Sequence, residues 1–238
     1  MPKISVITVA YNAQNSIERT IKSVINQSFE DFEYILVDGN SNDKTLEIAG
    51  KYKDYIKKWI SEPDKSIYDA MNKGILLSQG EYIVFLNAND AFATTDMLEK
   101  MSKYLDGTDI VYGNVGLINL CMEKQIIRKA KKINKKSLFQ KNILLPSEFI
   151  KREFLENMGG FDTRFKYEAD YELNLRAILK DNAKIKYVDE IITLATVDND
   201  KLLSPKRMRR IQKEKMVIKK TYFSPFEKWI YGIFEIFN

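Results

Sequence analysis

The 238-residue sequence contains no histidine, one cysteine and five prolines. Without histidine, neither an imidazole base nor a histidine metal ligand is available to any site that the chain forms. The single cysteine, Cys121, cannot form an intramolecular disulfide, which favours a reducing compartment, and its apolar surroundings predict a small buried side chain. No apolar run approaches the roughly 20 residues of a membrane span, and no signal-type segment precedes the first predicted strand. We therefore expect a cytoplasmic protein.

Acidic residues are scarce in two segments, although the net charge of the whole chain is only +5. Residues 201–220 contain nine Lys or Arg against Glu214 alone, and residues 124–147 contain eight with no acid. Such surfaces suit an anionic partner, whether a membrane, a diphosphate or a nucleic acid, and solvated helix faces are the alternative explanation. Met208 and Ile211 interrupt the first segment, which favours a packed or membrane-facing helix over nucleic-acid binding.

Strand and helix patterns alternate in the first half of the chain. Strands are predicted at Ile4–Val9, Tyr34–Val37, Ile56–Ile60 and Tyr82–Leu86. The spacing of Asn15 and Glu18 predicts a capping box at the first helix. Another helix is predicted near Asp43, and Ser66 with Asp69 marks the start of a third.

This β-α-β-α order up to about residue 112 predicts an α/β fold, with a mostly parallel, Rossmann-like sheet flanked by helices. Strand-like segments at 109–121 and 125–129 follow. Ser147 is predicted to be the N-cap of a helix, and a further helix starts at about Ala169. These elements indicate a mixed continuation of the sheet.

The C-terminal segment has the pattern of an amphipathic helix. Ser224, Pro225 and Glu227 combine an N-cap, a proline at the first helical position and a glutamate at the third. The predicted apolar face contains Trp229, Ile230, Ile233, Phe234 and Phe237. At about 13 residues the helix cannot span a bilayer, but with the basic run before it, it can lie in the interface of an anionic membrane. Packing of this face on the rest of the chain, or on a second subunit, is the alternative.

Two predicted strands end abruptly in polar clusters. The strand that ends at Leu86 is followed by Asn87, Asn89 and Asp90, and the strand that ends at Val37 is followed by a loop that begins with Asp38. The carboxyl ends of parallel strands line the binding crevice of an open α/β sheet. The two clusters therefore predict one site, with oxygen-rich side chains suited to a metal, a phosphate or a sugar.

These segments resemble the motifs of a known enzyme family. Ile4–Asn12, Val37–Asp43 and Asn87–Asp90 are similar, in order and spacing, to the opening motifs of family-2 glycosyltransferases with the GT-A fold. Ser61–Gly74 is similar to the subgroup that builds bacterial surface polysaccharides, including colanic-acid-type and capsular enzymes.

The resemblance continues into the second half of the chain. Gly159–Asp162 and Glu168–Glu172 resemble the acceptor-side motif of the family, and the whole match covers about residues 3–195. It implies a nucleotide-sugar-binding half (1–112) and an acceptor-binding half of the same catalytic domain (113–200). The charge and helix patterns described above make residues 201–238 a basic, amphipathic helical extension.

The resemblance implies an inverting glycosyltransferase that moves a sugar from a nucleotide diphosphate sugar, a UDP-hexose or UDP-HexNAc being favoured, to a hydroxyl of a glycan or lipid-linked acceptor. Asp38 would accept a hydrogen bond from the uracil N3–H, and Ala10 and Tyr11 would line the base pocket. The residues implied near the nucleoside and the diphosphate are Asp64, Asp69, Asn72, Lys73 and Asn87. Asp69 is explained equally well as a helix cap.

Asp170 is the catalytic base that the resemblance implies, with Glu168 in reserve. Acids at a helix N-terminus also complement the helix dipole, which is worth about 0.3–1 kcal/mol and gives a purely structural alternative. The preceding Gly159–Asp162 motif and the donor motifs favour catalysis.

The sequence departs from the family pattern where a metal is expected. Relatives carry an Asp-X-Asp motif whose last aspartate ligates Mn²⁺ or Mg²⁺, whereas this chain has the neutral Asn89, with Asp90 as a substitute ligand. Divalent binding should therefore be weaker. Basic residues between Lys124 and Lys141 are candidates to compensate the diphosphate charge. The histidine that many relatives place before the acceptor-side helix is absent, and Leu145, Pro146 and Ser147 occupy that region.

Other functions are left open by the sequence. Asn89 also suits a non-catalytic sugar-nucleotide-binding protein. A nucleotidyltransferase on a similar scaffold would need a glycine-rich, basic loop after the first strand, and the segment Ala10–Gln14 has neither glycine nor a basic residue. We expect no nucleic-acid partner, and we expect a cytoplasmic enzyme that can associate peripherally with the inner face of the cell membrane.

Overall fold

The computed structural model describes residues 1–119, 124–130, 132–196 and 204–236. Cys121 and Phe237 lie outside these described residues, and so do the side chains of Ile233 and Phe234, so the predictions made for them stay predictions. The strands are β1 (Ile4–Ala10), β2 (Phe32–Asp38), β3 (Lys58–Ser61), β4 (Tyr82–Phe85), β5 (Asp90–Phe92), β6 (Ile110–Asn119), β7 (Lys124–Arg128), β8 (Glu148–Lys151) and β9 (Ile185–Thr196). The helices are α1 (Ile17–Ile25), α2 (Thr45–Gly50), α3 (Ile67–Leu77), α4 (Met97–Ser102), α5 (Lys135–Gln140), α6 (Arg152–Asn157), α7 (Ala169–Leu175), α8 (Pro205–Tyr222) and α9 (Pro225–Ile236).

The strands form one sheet in the order β3-β2-β1-β4-β8-β6-β9-β5, and β7 extends from β6. The first four strands are parallel, with Ile4 of β1 opposite both Phe32 and Tyr82. β8 then runs antiparallel to β4 on one side and to β6 on the other. The predicted α/β fold, with a mostly parallel first half and a mixed second half, is confirmed.

Strand β1 is buried along its whole length because helices cover both faces of the sheet. Ile4 and Val6 pack with α1 and α4 in one hydrophobic cluster, whereas Ile7 and Val9 pack with α3 and α7 in another. Alternate side chains of a strand point to opposite faces, so a doubly covered parallel strand is mainly apolar on both faces. Its two polar side chains are paired within the sheet, since Ser5 donates to Glu33 at 2.6 Å and Thr8 accepts from the Tyr34 hydroxyl at 3.1 Å.

Two predicted helix caps are wrong. At α1 the cap position is Ser16, without a side-chain hydrogen bond, and Glu18 instead pairs with Lys22 at 3.0 Å and accepts from the Tyr52 hydroxyl at 2.6 Å. Ser147 does not cap a helix: its hydroxyl donates to the Leu144 carbonyl at 2.7 Å, and β8 follows directly. Insertion of β8 between two partner strands overrides the local helix signal, because both backbone edges gain ladder hydrogen bonds.

The other two predicted caps are confirmed. The Ser66 hydroxyl accepts from the Asp69 N–H at the start of α3. At α9 the Ser224 hydroxyl accepts from the Glu227 N–H at 3.2 Å, and the Glu227 carboxylate accepts from the Ser224 N–H at 2.9 Å. Local side-chain chemistry is sufficient at these helix starts.

The C-terminal helices pack on the second half of the domain through one face. Ile218 and Phe223 are buried against Leu138, Phe139 and Tyr171. The opposite side is open to solvent. Within the part of the chain that is described, no helix is long and apolar enough to cross a membrane.

Glu214, the only acid of the basic segment 201–220, fixes α8 to the loop before α7. Its carboxylate accepts hydrogen bonds from the backbone N–H groups of Lys166, Tyr167 and Glu168 at 3.0, 2.8 and 3.1 Å. The C-terminal extension is therefore a structural part of the second half of the domain.

Truncating Ile218 tests the packing of α8. Ile218→Ala should lower the free energy of unfolding by about 2–5 kcal/mol, because it leaves a cavity in a closed apolar cluster. The exposed neighbour Val217 provides the matched control, and Val217→Ala should change it by less than about 0.5 kcal/mol. Urea denaturation of both variants measures the difference, and equal small effects would show that α8 is not anchored.

Candidate active site

A cavity of about 920 Å³ opens at the carboxyl ends of β1, β2 and β4. Its walls come from the loops that follow these strands and from the start of α3. The residues that line it are Val9, Ala10, Tyr11, Asn12, Ala13, Asn15, Ser16, Gly39, Asn40, Pro63, Asp64, Lys65, Ser66, Ile67, Ala70, Asn87, Ala88, Asn89, Lys166 and Thr196. The structure thus brings together five of the predicted site residues, Ala10, Tyr11, Asp64, Asn87 and Asn89.

Tyr11 contributes an aromatic side chain that is 66% exposed. The loops after β1 and β2 hold it in place, because Asn12 donates its backbone N–H to Ser41 and accepts from the Asn42 N–H. A Cβ added at Gly39 would lie 3.3 Å from the Tyr11 ring and 3.1 Å from Asp64 Oδ2. Glycine at this position keeps the floor of the cavity open.

Asp38 lies beneath the cavity and does not line it. The carboxylate is fully buried and accepts hydrogen bonds from the Ser41 N–H at 2.8 Å and from the Ser61 hydroxyl at 2.7 Å. Carboxylate oxygens that accept several local hydrogen bonds hold the surrounding loops rigidly. In this conformation Asp38 shapes the cavity by joining the loops after β2 and β3, and its predicted contact with a nucleotide base stays a prediction.

Three predicted residues on α3 hold the cavity wall from behind. Lys73 contacts the Asp64 carboxylate and pairs with Glu62 at 2.8 Å. Asn72 binds the second half of the domain, since its amide donates to the Phe161 carbonyl and accepts from the Phe161 N–H, both at 2.9 Å. Asp69 accepts from the Lys65 N–H at 3.0 Å at the helix start.

Asn87, Asn89 and Asp90 follow β4, where the sequence predicts a metal. Asp90 is 2% exposed and accepts from the Asn87 amide at 2.9 Å, and burial raises the pKa of its carboxyl to about 6. The Asn89 amide donates to the Thr196 carbonyl at 3.2 Å, and the Asn89 carbonyl accepts from the Arg19 guanidinium. Asn87 Oδ1 is buried without a hydrogen-bond partner.

These groups do not fit a strong divalent-cation site. Mn²⁺ and Mg²⁺ favour several oxygen ligands, with carboxylates among them. The one carboxylate of the trio, that of Asp90, is buried and already paired, and a guanidinium contacts the Asn89 carbonyl. Across the described ranges, no group of three or more Asp, Glu, His or Cys side chains is placed to hold a metal ion.

Two lysines that the sequence analysis did not select, Lys65 and Lys166, line the cavity. The available signal was their position in the sequence, since Lys65 lies within the Ser61–Gly74 segment and Lys166 lies between the Gly159–Asp162 and Glu168–Glu172 motifs. By contrast, no described residue of the segment 124–141 lines the cavity, and Lys135 pairs with Glu227 at 2.7 Å.

Asp170 lies in the first turn of α7, behind the wall that α3 forms. Its Oδ1 accepts from the Tyr68 hydroxyl at 2.7 Å, and its Oδ2 accepts from the Asn142 amide at 2.9 Å. Burial raises the pKa of the Asp170 carboxyl, although the hydrogen bond from Tyr68 opposes the shift. Glu168 is held differently: it pairs with Lys215 at 3.5 Å, and burial raises its pKa to about 7.

Comparison with known proteins identifies a matching family and similar proteins. Residues 5–157 match the family profile described as Glycosyl transferase family 2. A relative from Mycobacterium bovis, named PGL/p-HBAD biosynthesis glycosyltransferase, is 27% identical over 198 residues, which cover 80% of this chain and 75% of the relative.

Solved structures share the fold. Residues 1–349 of TarS from S. aureus, in complex with UDP-GlcNAc, superpose with a TM-score of 0.71 at 20% identity, covering 91% of this chain and 66% of the TarS fragment. This chain spans 39% of a longer TarS chain. The mannosyltransferase PcManGT from Pyrobaculum calidifontis, in complex with GDP-Man and Mn²⁺, has a TM-score of 0.64 at 19% identity over 83% of this chain and 58% of PcManGT.

The side chains available as metal ligands after β4, those of Asn87, Asn89 and Asp90, predict that a metal contributes little to nucleotide binding. Saturating Mn²⁺ should tighten UDP binding by less than about ten-fold relative to EDTA, because Asn89 supplies no charge. Asn89→Asp should enlarge the Mn²⁺ effect by restoring an anionic ligand. Isothermal titration of both proteins measures the ratio, and a large Mn²⁺ effect in the wild type with none gained in the variant would contradict this assignment.

Proposed function

The chain belongs to glycosyl transferase family 2, and from its candidate site we propose that it is an inverting glycosyltransferase. The donor is a nucleotide diphosphate sugar, a UDP-hexose or UDP-HexNAc, and the acceptor is a hydroxyl of a glycan or lipid-linked glycan in surface polysaccharide synthesis. Residues 1–112 bind the donor, residues 113–200 bind the acceptor, and residues 201–238 contact the membrane.

The single observation that carries this proposal is the composition of the cavity. An exposed aromatic ring, Tyr11, lies on its floor, and two cations, Lys65 and Lys166, lie on its walls. Ligand pockets of about 300–1,000 Å³ bury most of a drug-sized molecule. A volume of about 920 Å³ therefore suits a ligand with a flat base, an anionic centre and a sugar.

In the donor complex, Tyr11 stacks on the base and Ala10 lies at its edge, while Asp38 holds the loops that shape this pocket. Asp64 approaches the ribose from the opposite wall. Asn87 faces the sugar-proximal end of the cavity. Asp69, Asn72 and Lys73 keep α3 in position behind these contacts.

The diphosphate needs positive charge both in the ground state and as it leaves. Lys65 and Lys166 supply this charge from the walls, and the Arg19 guanidinium stands beside Asn89. Fixed cations aimed at a leaving group stabilise the charge that develops in the transition state. Because Asn87, Asn89 and Asp90 do not fit a strong metal site, no step of this mechanism requires a divalent ion.

Asp170 is the base. The acceptor hydroxyl transfers its proton to the Asp170 carboxylate as its oxygen attacks the anomeric carbon from the face opposite the diphosphate. The carbon–oxygen bond to the diphosphate breaks, the electron pair leaves with the nucleotide, and the anomeric configuration inverts. A raised pKa improves a carboxylate as a base near neutral pH.

Membrane association would bring a lipid-linked acceptor to the site. Lys206, Arg209, Arg210 and Lys213 share one face of α8, and Phe226 and Trp229 on α9 are exposed by 66% and 64%. A basic helix next to exposed aromatic side chains is the pattern of a helix that lies in the interface of an anionic bilayer. The inward faces of both helices pack on protein, so this proposal combines packing on the rest of the chain with membrane contact by the outward faces.

Removing the exposed ring tests the base pocket. Tyr11→Ala should weaken UDP binding by an amount equivalent to about 1–3 kcal/mol, the usual value of base–aromatic stacking, without changing stability. The matched control is Tyr55→Ala, since Tyr55 is similarly exposed, at 62%, outside the cavity. Equal UDP affinity in the wild type and both variants, measured by calorimetry, would refute the stacking contact.

Neutralising the base separates catalysis from binding. Asp170→Asn should lower turnover by about 10²–10⁴-fold, because an amide cannot accept the acceptor proton, while UDP affinity stays within about two-fold. The assay is release of UDP from a panel of UDP-sugars, with Glu168→Gln as the comparison. Wild-type binding without turnover of any donor would indicate a non-catalytic binder, and unchanged turnover in Asp170→Asn would move the base elsewhere.

Reversing the charge on the basic face of α8 tests the membrane contact. Arg209→Glu/Arg210→Glu should weaken binding to phosphatidylserine-containing vesicles by at least about ten-fold, since each basic residue near such a surface is worth about 1 kcal/mol. The control is Lys44→Glu/Lys51→Glu, at the two ends of α2, which changes the net charge equally away from this face. Vesicle co-sedimentation at constant salt compares the two, and equal losses would mean that only net charge matters.

A further inference from the structure

A series of hydrogen-bonded polar side chains leads from Asp170 into the sheet. Asp170 Oδ2 accepts from the Asn142 amide at 2.9 Å, and Asn142 Oδ1 accepts from the Asn174 amide at 3.1 Å. Asn174, one turn after Asp170 on α7, also donates to Glu148 Oε1 at 2.9 Å. Both Asn174 and Glu148 are completely buried.

The direction of these hydrogen bonds fixes the orientation of the amide beside Asp170. The Asn174 amide donates a hydrogen bond to Asn142, so Asn142 must turn its oxygen toward Asn174 and its own NH₂ toward Asp170. The opposite orientation would place an amide oxygen against a carboxylate, leaving two acceptors face to face. Glu148 accepts a second hydrogen bond from the Asn174 amide. It thereby holds Asn174 in the orientation in which Asn174 also donates to Asn142.

Glu148 is an unusual residue to find at the start of a central strand. Among the described residues, its Oε2 has no hydrogen-bond partner, and neither has Asn174 Oδ1. Burial, together with the negative charge of Asp170, raises the pKa of the Glu148 carboxyl to about 8, although the hydrogen bond from Asn174 opposes the shift. The titratable neighbours are Asp170 on α7 and Tyr112, its register partner on β6. An unpaired buried acid costs stability, and a neutral carboxyl lowers that cost.

We propose that Glu148 is a positioning residue for the Asp170 base, acting through Asn174 and Asn142. This inference rests on the proposed function, because it assigns a task to the groups behind the proposed base. Glu148 touches neither donor nor acceptor. It keeps the NH₂ of Asn142 on Oδ2 of Asp170, while Tyr68 occupies Oδ1, so that the carboxylate stays in one rotamer.

Nuclear magnetic resonance of asparagine side chains tests the network without any need for turnover. In the full chain, the NH₂ resonances of Asn142 and Asn174 should shift together between about pH 6 and pH 10, with a midpoint near the pKa of Glu148. Glu148→Gln should abolish this step. Glu33→Gln is the matched control, because Glu33 is another buried acid, bonded to Ser5 and Gly80 away from the site. An Asn142 resonance that does not respond in the wild type, or still responds in Glu148→Gln, overturns the proposal.

Kinetics test the consequence for catalysis. Glu148→Leu keeps a buried side chain of similar size but removes the acceptor for Asn174. It should lower the rate of UDP release from UDP-GlcNAc by at least about ten-fold without changing UDP affinity, whereas Glu148→Gln should recover most of the loss. A parallel fall in binding and rate, with no recovery in Glu148→Gln, would show a merely structural role and overturn the inference.

The assignment of Asp170 as the base and the positioning role of Glu148 can fail separately. If Asp170→Asn is inactive while Glu148→Leu has the wild-type rate, the proposed base stands and the positioning role of Glu148 falls. If Asp170→Asn retains full activity, the proposed base itself is wrong. If UDP-GlcNAc is not turned over by the wild type, the resonance titration of Asn142 still decides whether Glu148 acts on the amide beside Asp170.

Discussion

Double-sided burial of the central parallel strands is the constraint on which the site depends. β1 has no exposed residue, since α1 and α4 cover one face of the sheet and α3 and α7 cover the other. Polar side chains within such a strand need partners inside the sheet, as Ser5 has in Glu33 and Thr8 has in Tyr34. Polar groups that are open to a ligand lie where the strands end, and the cavity forms there.

Burial also sets the chemistry of the acids. The pKa values of Asp90, Glu168, Asp170 and Glu148 are all raised, and in each case burial is the largest cause. Carboxyl groups shifted toward neutrality can exchange protons near physiological pH, which carboxylates in water cannot do efficiently. The same shift weakens Asp90 as a metal ligand, because a ligand must give up its proton. One physical effect thus favours a base at Asp170 and disfavours a metal after β4.

The basic helix α8 is integrated into the second half of the domain rather than appended to it. Glu214 binds three consecutive backbone N–H groups in the loop that carries Lys166 and leads to α7. Ile218 and Phe223 close an apolar cluster against α5 and α7. Helix α8 is therefore fixed to the loop that contributes Lys166 to the cavity. This contact is long-range in sequence, and the charge pattern alone did not indicate it.

The sequence by itself determined the α/β class, the parallel first half, the caps at Ser66 and Ser224, and the position of Tyr11 and Asn87 at strand ends. These features follow from short-range periodicity and from side chains that act on their own backbone. Tertiary structure decided what local patterns cannot express. A strand rather than a helix follows Ser147 because two partner strands flank β8, Asp38 turns away from the cavity toward Ser41 and Ser61, and Glu148 meets Asn174 across 26 residues. Burial and hydrogen-bond partners come from distant parts of the chain, and they exist only once the sheet has closed.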